Sequence, residues 1–141
     1  MRLKQLIFHN KINLYKGDKG IMKMTNFEIY TTFAKINSNF TGDEVLPIKL
    51  NFYFQKNNKI LMELAKEIEE SRMEIGKKYG EATEDGYTIP AEKIDEANKE
   101  YEELMTLEQE VNICTISIEK LPDDLELTTA QVDALSYMIV E

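Results

Sequence analysis

The hydrophobic pattern of Leu46–Leu61 fits two kinds of secondary structure. Apolar residues alternate as in a half-buried strand, at Ile48, Leu50, Phe52 and Phe54. A second series steps by four and three residues, as on one face of a helix. It comprises Leu50, Phe54, Asn57, Leu61, Leu64 and Ile68. The first pattern predicts a strand in a sheet core, and the second predicts a long helix.

The residues that follow favour the helix. The series continues to Ile75, and a Tyr79-Gly80 stop signal comes directly after two lysines. Pro47 has no amide hydrogen, so it suits the first turn of a helix and the first residue of a strand equally. We therefore predict one helix over residues 47–79. A strand at Leu46–Gln55 is the alternative.

In the helical interpretation, the first turns are apolar on two faces. Leu50 and Phe54 lie on one face, and Ile48 and Phe52 lie on the other. A helix that is apolar on two sides is expected to be buried on two sides. The polar Asn57 interrupts the series, where it either fixes the register of packing or lies at a solvated edge.

A second helix-period series follows the Asp85-Gly86 turn signal. It starts after Pro90 and predicts a helix over residues 90–110. Its members are Ile94, Ala97, Tyr101, Leu104, Glu108 and Val111. Two such series joined by a short connection predict an antiparallel helical hairpin with coiled-coil spacing.

Shorter elements flank the two long helices. Asn26–Asn37 predicts a short helix, and the β-branched run Val111–Ile118 predicts a strand. Thr128 and Gln131 form a capping box that starts a final helix. The inward positions of that helix are Val132, Leu135, Met138 and Ile139. The predicted fold is α+β and mainly α, a long helical hairpin on a base of short helices and a small β-sheet.

The N-terminal segment differs from the rest of the chain in charge. Residues 1–25 carry six basic groups and one acidic group, whereas the other 116 residues carry 11 basic and 25 acidic groups. Glycines within Lys16–Gly20, between two apolar-rich runs, predict a β-hairpin. Alternatively, residues 1–21 precede the native start as an upstream extension. We predict that residues 1–24 are a basic hairpin or a dispensable extension, and that residues 25–141 form a single acidic domain.

The net charge of −9 limits the classes of partner. An acidic body repels phosphate groups, so we expect no direct binding of nucleic acid. No apolar run reaches the length of a membrane span, and the N-terminus lacks the features of a signal peptide. A single cysteine fits a reducing compartment. The expected location is the cytoplasm, with another protein or a second copy of the chain as partner.

Residues that carry catalysis are scarce. His9 is the only histidine, and Cys114 lies in an apolar run where a thiol usually acts as a small buried hydrophobe. No cysteine–histidine set has the spacing of a zinc site, and the six glycines form no phosphate-binding loop. The sequence predicts that the protein is not an enzyme and has no catalytic residue, cofactor or metal site.

Aromatic and acidic residues of the two long helices are the candidate partner-binding groups. The aromatic candidates are Tyr53, which falls between the two apolar faces, and its neighbour Phe52. The acidic candidates form a stripe on each helix, with Glu63, Glu67, Glu70 and Glu74 on the first and Glu96 and Glu103 on the second. Such stripes either imitate a phosphate backbone or form the solvent face of the hairpin.

Four segments of the chain carry a resemblance to a known family. They are LPIKLNFYFQKNNKI, KKYGEATEDGYTIP, EVNICTISIEKL and LELTTAQVDALSYMIVE. Their order between Thr25 and Glu141 resembles small phage and prophage proteins of uncharacterised function, similar to the domain-of-unknown-function 1617 group. The resemblance implies a phage-encoded accessory protein. We expect it to inhibit or sequester a host protein, such as a defence protein. The alternative is a virion or tail assembly protein that acts through helical-hairpin oligomerisation.

Overall fold

Helices dominate the protein, and its strands form small sheets. The computed structural model describes residues 2–10 and 20–141. The helices are α1 (Leu3–His9), α2 (Asn26–Asn39), α3 (Ile48–Tyr79), α4 (Ile94–Thr106) and α5 (Thr129–Leu135). The strands are β1 (Gly20–Thr25), β2 (Glu81–Thr83), β3 (Gly86–Thr88), β4 (Glu108–Ile113), β5 (Ile116–Ser117) and β6 (Ile139–Val140). This architecture confirms the predicted mainly α, α+β class.

The long helix α3 confirms the prediction for residues 47–79 and excludes the alternative strand. Pro47 stands at its N-cap, and Gly80 follows its last residue. One face of α3 is buried from its first turns onward, at Leu50, Phe54, Asn57, Leu61, Ala65 and Ile68. These residues include most of the predicted series, which therefore faces the hydrophobic core.

The prediction that the first turns of α3 are buried on two sides is wrong. Ile48 is 90% exposed and Phe52 is 59% exposed, whereas Leu50 and Phe54 are buried. The physical reason is that the elements that contact α3 lie on the side that carries Phe54 and Asn57. Phe40, at the end of α2, contacts Phe54, and Asn57 is hydrogen-bonded to Cys114, just after β4. Within the described residues, the opposite side of these turns stays open to solvent.

The second long helix is shorter than predicted. A 3₁₀ turn at Ala91–Lys93 leads into α4, which ends at Thr106 rather than near residue 110. Residues Glu108–Ile113 instead form β4, which pairs antiparallel with β1. Backbone pairing with a distant strand therefore overrides the helical period at this point. The hairpin β2–β3 connects α3 to α4, and an ion pair joins Lys78 of α3 to Glu100 of α4.

The N-terminal β-hairpin prediction is wrong for the described residues. Leu3–His9 is a helix that buries Leu3, Leu6 and Ile7, whose spacing of three and four residues puts them on one face. The amide of Leu3 donates to the carbonyl oxygen of Leu125 at 2.8 Å, which ties α1 to the base. The predicted turn falls mostly within residues 11–19, outside the described residues. The division into segments 1–24 and 25–141 stays a prediction.

The C-terminal part of the base has the predicted capping box and buried residues, but its elements differ from the prediction in length. The Thr128 hydroxyl accepts from the amide of Gln131, and the Gln131 side chain accepts from the Thr128 amide. All four predicted inward residues are buried, but α5 ends at Leu135. The predicted final helix is therefore too long, since Met138 lies beyond its end and Ile139 belongs to β6. The predicted strand Val111–Ile118 is divided, because β4 ends at Ile113 and β5 starts at Ile116 to pair in parallel with β6.

Among the helices in the described part of the chain, none has both the length and the apolar composition to cross a membrane.

Candidate protein-binding surface

A short loop between α2 and α3 determines where α3 begins. The Glu44 carboxylate accepts hydrogen bonds from the backbone amides of Thr41 at 2.7 Å and Gly42 at 3.0 Å. The Thr41 amide is the main cause of a lowered pKa at Glu44, because its hydrogen bond favours the ionised carboxylate. This turn closes the loop just before Val45 and Pro47, so that α3 starts from a defined position.

Packing on one side of α3 orients the residues on its other side. Phe54 is buried and contacts the ring of Phe40, with the two ring centroids 4.9 Å apart. Successive residues in a helix are rotated by about 100° around its axis. Because Leu50 and Phe54 face the core, Ile48 and Phe52 must point away from it.

The result is an exposed apolar surface at the start of α3, which we call the α3 apolar patch. It consists of Ile48 and Phe52, which lie one turn apart on the same face of α3. Val45, three residues before Ile48 in the loop, is 94% exposed and extends the run of exposed apolar residues along the sequence. Single exposed hydrophobic residues are common on proteins, but large ones gathered in one place mark interaction sites. A rigid helix presents this patch, so its side chains are held in place before a partner arrives.

Lysines accompany the aromatic residues of this surface. The Lys56 ammonium nitrogen lies 5.6 Å from the centroid of the Phe52 ring, and that of Lys49 lies 5.7 Å from the centroid of the Tyr53 ring. These distances fit cation–π contacts. The whole segment Val45–Met62 contains three lysines and no aspartate or glutamate, in a chain that has 26 acidic residues. The surface therefore combines apolar, aromatic and basic groups.

The two aromatic residues proposed from the sequence lie side by side but differ in exposure. Their ring centroids are 6.3 Å apart. Tyr53 is half-buried and packs against the hydrophobic core, because its position on the helix turns it towards Leu50. Phe52 is therefore the more exposed aromatic residue. Sequence reasoning missed Val45, Ile48, Lys49 and Lys56, and the signal for them is the absence of acidic residues over Val45–Met62.

The acidic stripe residues are exposed on two different helices. Glu63, Glu67, Glu70 and Glu74 lie along α3, and Glu96 and Glu103 lie on α4. Glu74 forms an ion pair with Lys77 at 3.4 Å, one turn of helix away. An ion pair between two exposed side chains contributes little to stability. Both interpretations of the stripes require exposed carboxylates, so the choice between a phosphate mimic and a solvent face stays a prediction.

Two cavities lie elsewhere along α3. One, of about 470 Å³, lies between α2 and α3 and is lined mainly by apolar residues such as Phe33 and Met62. The other, of about 370 Å³, is formed by α3, β3 and α4 and is lined by Arg72, Tyr87 and Tyr101 among others. The guanidinium of Arg72 is already paired with Glu69, at 2.7 and 3.0 Å, and this hydrogen bonding lowers the pKa of Glu69.

The groups that most often carry chemistry are dispersed. His9 is exposed on α1, and Cys114 is a half-buried free thiol between β4 and β5. Residues 2–10 and 20–141 contain no cluster of three or more histidine, cysteine, aspartate or glutamate residues that could hold a metal ion. The α3 apolar patch is thus the feature of the described surface that most directly indicates a function.

No protein-family model, curated protein or solved structure matches the chain, and the resemblance to the domain-of-unknown-function 1617 group stays a prediction.

Proposed function

We propose that this protein acts without catalysis, by binding another protein through the α3 apolar patch. The observation that carries the proposal is the exposure of Ile48 and Phe52 on a helix whose opposite side is packed into the core. Aromatic residues on rigid elements are frequent binding anchors, because they bury a large area and lose little conformational freedom. Burying the patch would remove a large apolar surface from water.

The biological setting of the proposal comes from the sequence resemblance. A phage-encoded accessory protein would meet its partner in the cytoplasm of the host cell. The partner in this proposal is a host protein, such as a defence protein, which the chain inhibits or sequesters by occupying one of its surfaces.

Assembly through self-association is the second candidate function. It draws support from the series on α4, where Ile94 and Tyr101 remain about 40% exposed in the single chain. Pairing of hairpins from several copies would cover these side chains, as a virion or tail assembly protein requires. Size-exclusion chromatography with light scattering distinguishes the candidates. A concentration-dependent oligomer supports assembly, and a monomer at all concentrations contradicts it.

Comparative co-purification tests the first candidate. The tagged protein and an Ile48→Ser/Phe52→Ser variant are produced in cells that naturally carry the gene, and retained proteins are quantified by mass spectrometry. Phe27→Ser/Leu107→Ser is the matched control, since Phe27 and Leu107 are exposed to 56% and 58% on other surfaces. We expect a protein that the wild type and the control retain and the patch variant loses. Equal retention by all three, or retention of nothing by the wild type, would contradict the proposal.

A further inference from the structure

The lysines next to the α3 apolar patch have no ion-pair partner among the described residues. Lys49, Lys56 and Lys59 are exposed, and none of them forms an ion pair with another residue of the described part of the chain. The first turn of α3 also contains no acidic residue, so the partial positive charge of the helix N-terminus adds to theirs. Lys49, Lys56 and Lys59 thus place positive charge beside Ile48 and Phe52 on α3. The nearest acidic residues before them, Asp43 and Glu44, lie in the loop ahead of the helix, where Glu44 is hydrogen-bonded to Thr41 and Gly42.

From this arrangement, and resting on the proposed function, we infer that the partner presents a short apolar segment flanked by aspartate or glutamate. The apolar side chains of that segment cover Ile48 and Phe52. Its carboxylates lie against Lys49 and Lys56, whose ammonium groups are close to the aromatic rings of the surface. Opposite charges at the rim of an apolar contact speed association and select the partner.

A second copy of the chain does not meet this requirement. If the apolar patches of two copies met, the lysines of both copies would come together, because Lys56 lies over the Phe52 ring. Alternatively, α3 of a second copy could lie antiparallel, with Lys56 facing Glu70 of that copy. Phe52 would then face Glu74, because Phe52 precedes Lys56 by four residues and Glu74 follows Glu70 by four. Pairing patch on patch therefore brings like charges together, and the antiparallel pairing places the Phe52 ring against a carboxylate.

A flat anionic membrane also fits less well than a compact acidic segment. The acidic stripe continues along the same outward side of α3, starting at Glu63, which lies about 16 Å along the helix from Phe52. A planar anionic surface laid along α3 would meet these carboxylates as well as the lysines. A short segment can contact the patch and its lysines alone.

Fluorescence anisotropy with two labelled peptides tests the inference. Both probes are amphipathic helices with leucines on one face, flanked by glutamates in one peptide and by lysines in the other. We expect the glutamate peptide to bind about tenfold more tightly, with an affinity that falls as salt is added. A Lys49→Glu/Lys56→Glu variant should lose about tenfold in affinity for the glutamate peptide and gain affinity for the lysine peptide. The matched control Lys23→Glu/Lys120→Glu changes the net charge equally and should bind as the wild type does.

Several results would overturn the inference. They are equal affinity for both peptides, no binding of either, or an equal loss in the Lys23→Glu/Lys120→Glu control. Binding to vesicles that contain phosphatidylserine, without binding of the glutamate peptide, would assign the surface to a membrane instead. The co-purification experiment separates this inference from the proposed function. A partner kept by Lys49→Glu/Lys56→Glu but lost by Ile48→Ser/Phe52→Ser contradicts only the acidic segment, whereas a partner kept by both contradicts the proposed function itself.

Discussion

The two sides of the first turns of α3 differ in which residues they bury, and neither hydrophobicity nor helix propensity alone explains the difference. The inward side buries Leu50 and Phe54 together with a polar residue, Asn57, which is fully buried. The outward side exposes Ile48 and Phe52 to solvent. A polar side chain is inside and large apolar ones are outside, so each side departs from the usual distribution of residues.

Asn57 shows how a polar group is accommodated in the core. Its side chain accepts from the Cys114 amide at 2.8 Å and donates to the Cys114 carbonyl oxygen at 2.9 Å. These groups lie where β4 has ended and β5 has not begun, so Asn57 takes the place of a neighbouring strand. It therefore fixes how α3 packs on the base and does not lie at a solvated edge. Among residues 2–10 and 20–141, no such partner covers Ile48 and Phe52, and this contrast supports the proposal that the outward side binds another protein.

The largest expected effect tests the inward side. Phe54→Ala removes a buried ring and its contact with Phe40, and should lower the free energy of unfolding by about 3–5 kcal/mol. Denaturant unfolding followed by circular dichroism measures the change. A loss below about 1 kcal/mol would mean that Phe54 is not packed as described.

The second prediction concerns the buried amide. Asn57→Ala leaves the Cys114 amide and carbonyl without their partner, and should cost about 2–4 kcal/mol of unfolding free energy. Asn51→Ala on the same helix is the control, because Asn51 is exposed and its replacement should change stability by less than about 0.5 kcal/mol. Equal losses of unfolding free energy in the two variants would contradict the described difference between the inward and outward sides of α3.

A smaller effect is expected further along the inward side. Ile75 is half-buried, near the end of α3. Ile75→Ala should therefore cost only about 1–2 kcal/mol, measured by the same denaturant titration. A loss as large as that of Phe54→Ala would show that the core extends along the whole helix.

The smallest effect on stability belongs to the outward side. Phe52→Ala should change the unfolding free energy by less than about 0.5 kcal/mol, because the ring is mostly exposed and alanine favours the helix. Phe54→Ala, two residues away, is the matched comparison. If both variants lost 3 kcal/mol or more, on the order of a buried aromatic side chain, the outward side would be part of the core.

Features set by neighbouring residues were predictable from the sequence. The helix over residues 47–79 is long and strongly periodic, and the capping box at Thr128 depends on residues only three positions apart. The buried series on α3 also follows from its spacing. In each case, the chemistry that determines the structure lies within a few turns of the chain.

Features set by distant residues were not predictable in the same way. The helical period of α4 runs on to Glu108 and Val111, but pairing with β1 makes this segment a strand. The glycines near residue 20 favoured a hairpin, whereas the spacing of Leu3 and Leu6 produces a helix that packs on the base. The exposure of Phe52 depends on which elements pack against α3, and alternation along the sequence carries no information about that.

Site-specific photo-cross-linking tests the proposed division of α3 most directly. Phe52→p-benzoylphenylalanine keeps an aromatic ring on the α3 apolar patch, and the same substitution at Phe27 provides a control of similar exposure. Both variants are irradiated in cells that naturally carry the gene, and covalent adducts are identified by mass spectrometry. The account predicts a protein adduct from position 52 and none from position 27. Adducts of equal yield from both positions, or none from position 52, would contradict it.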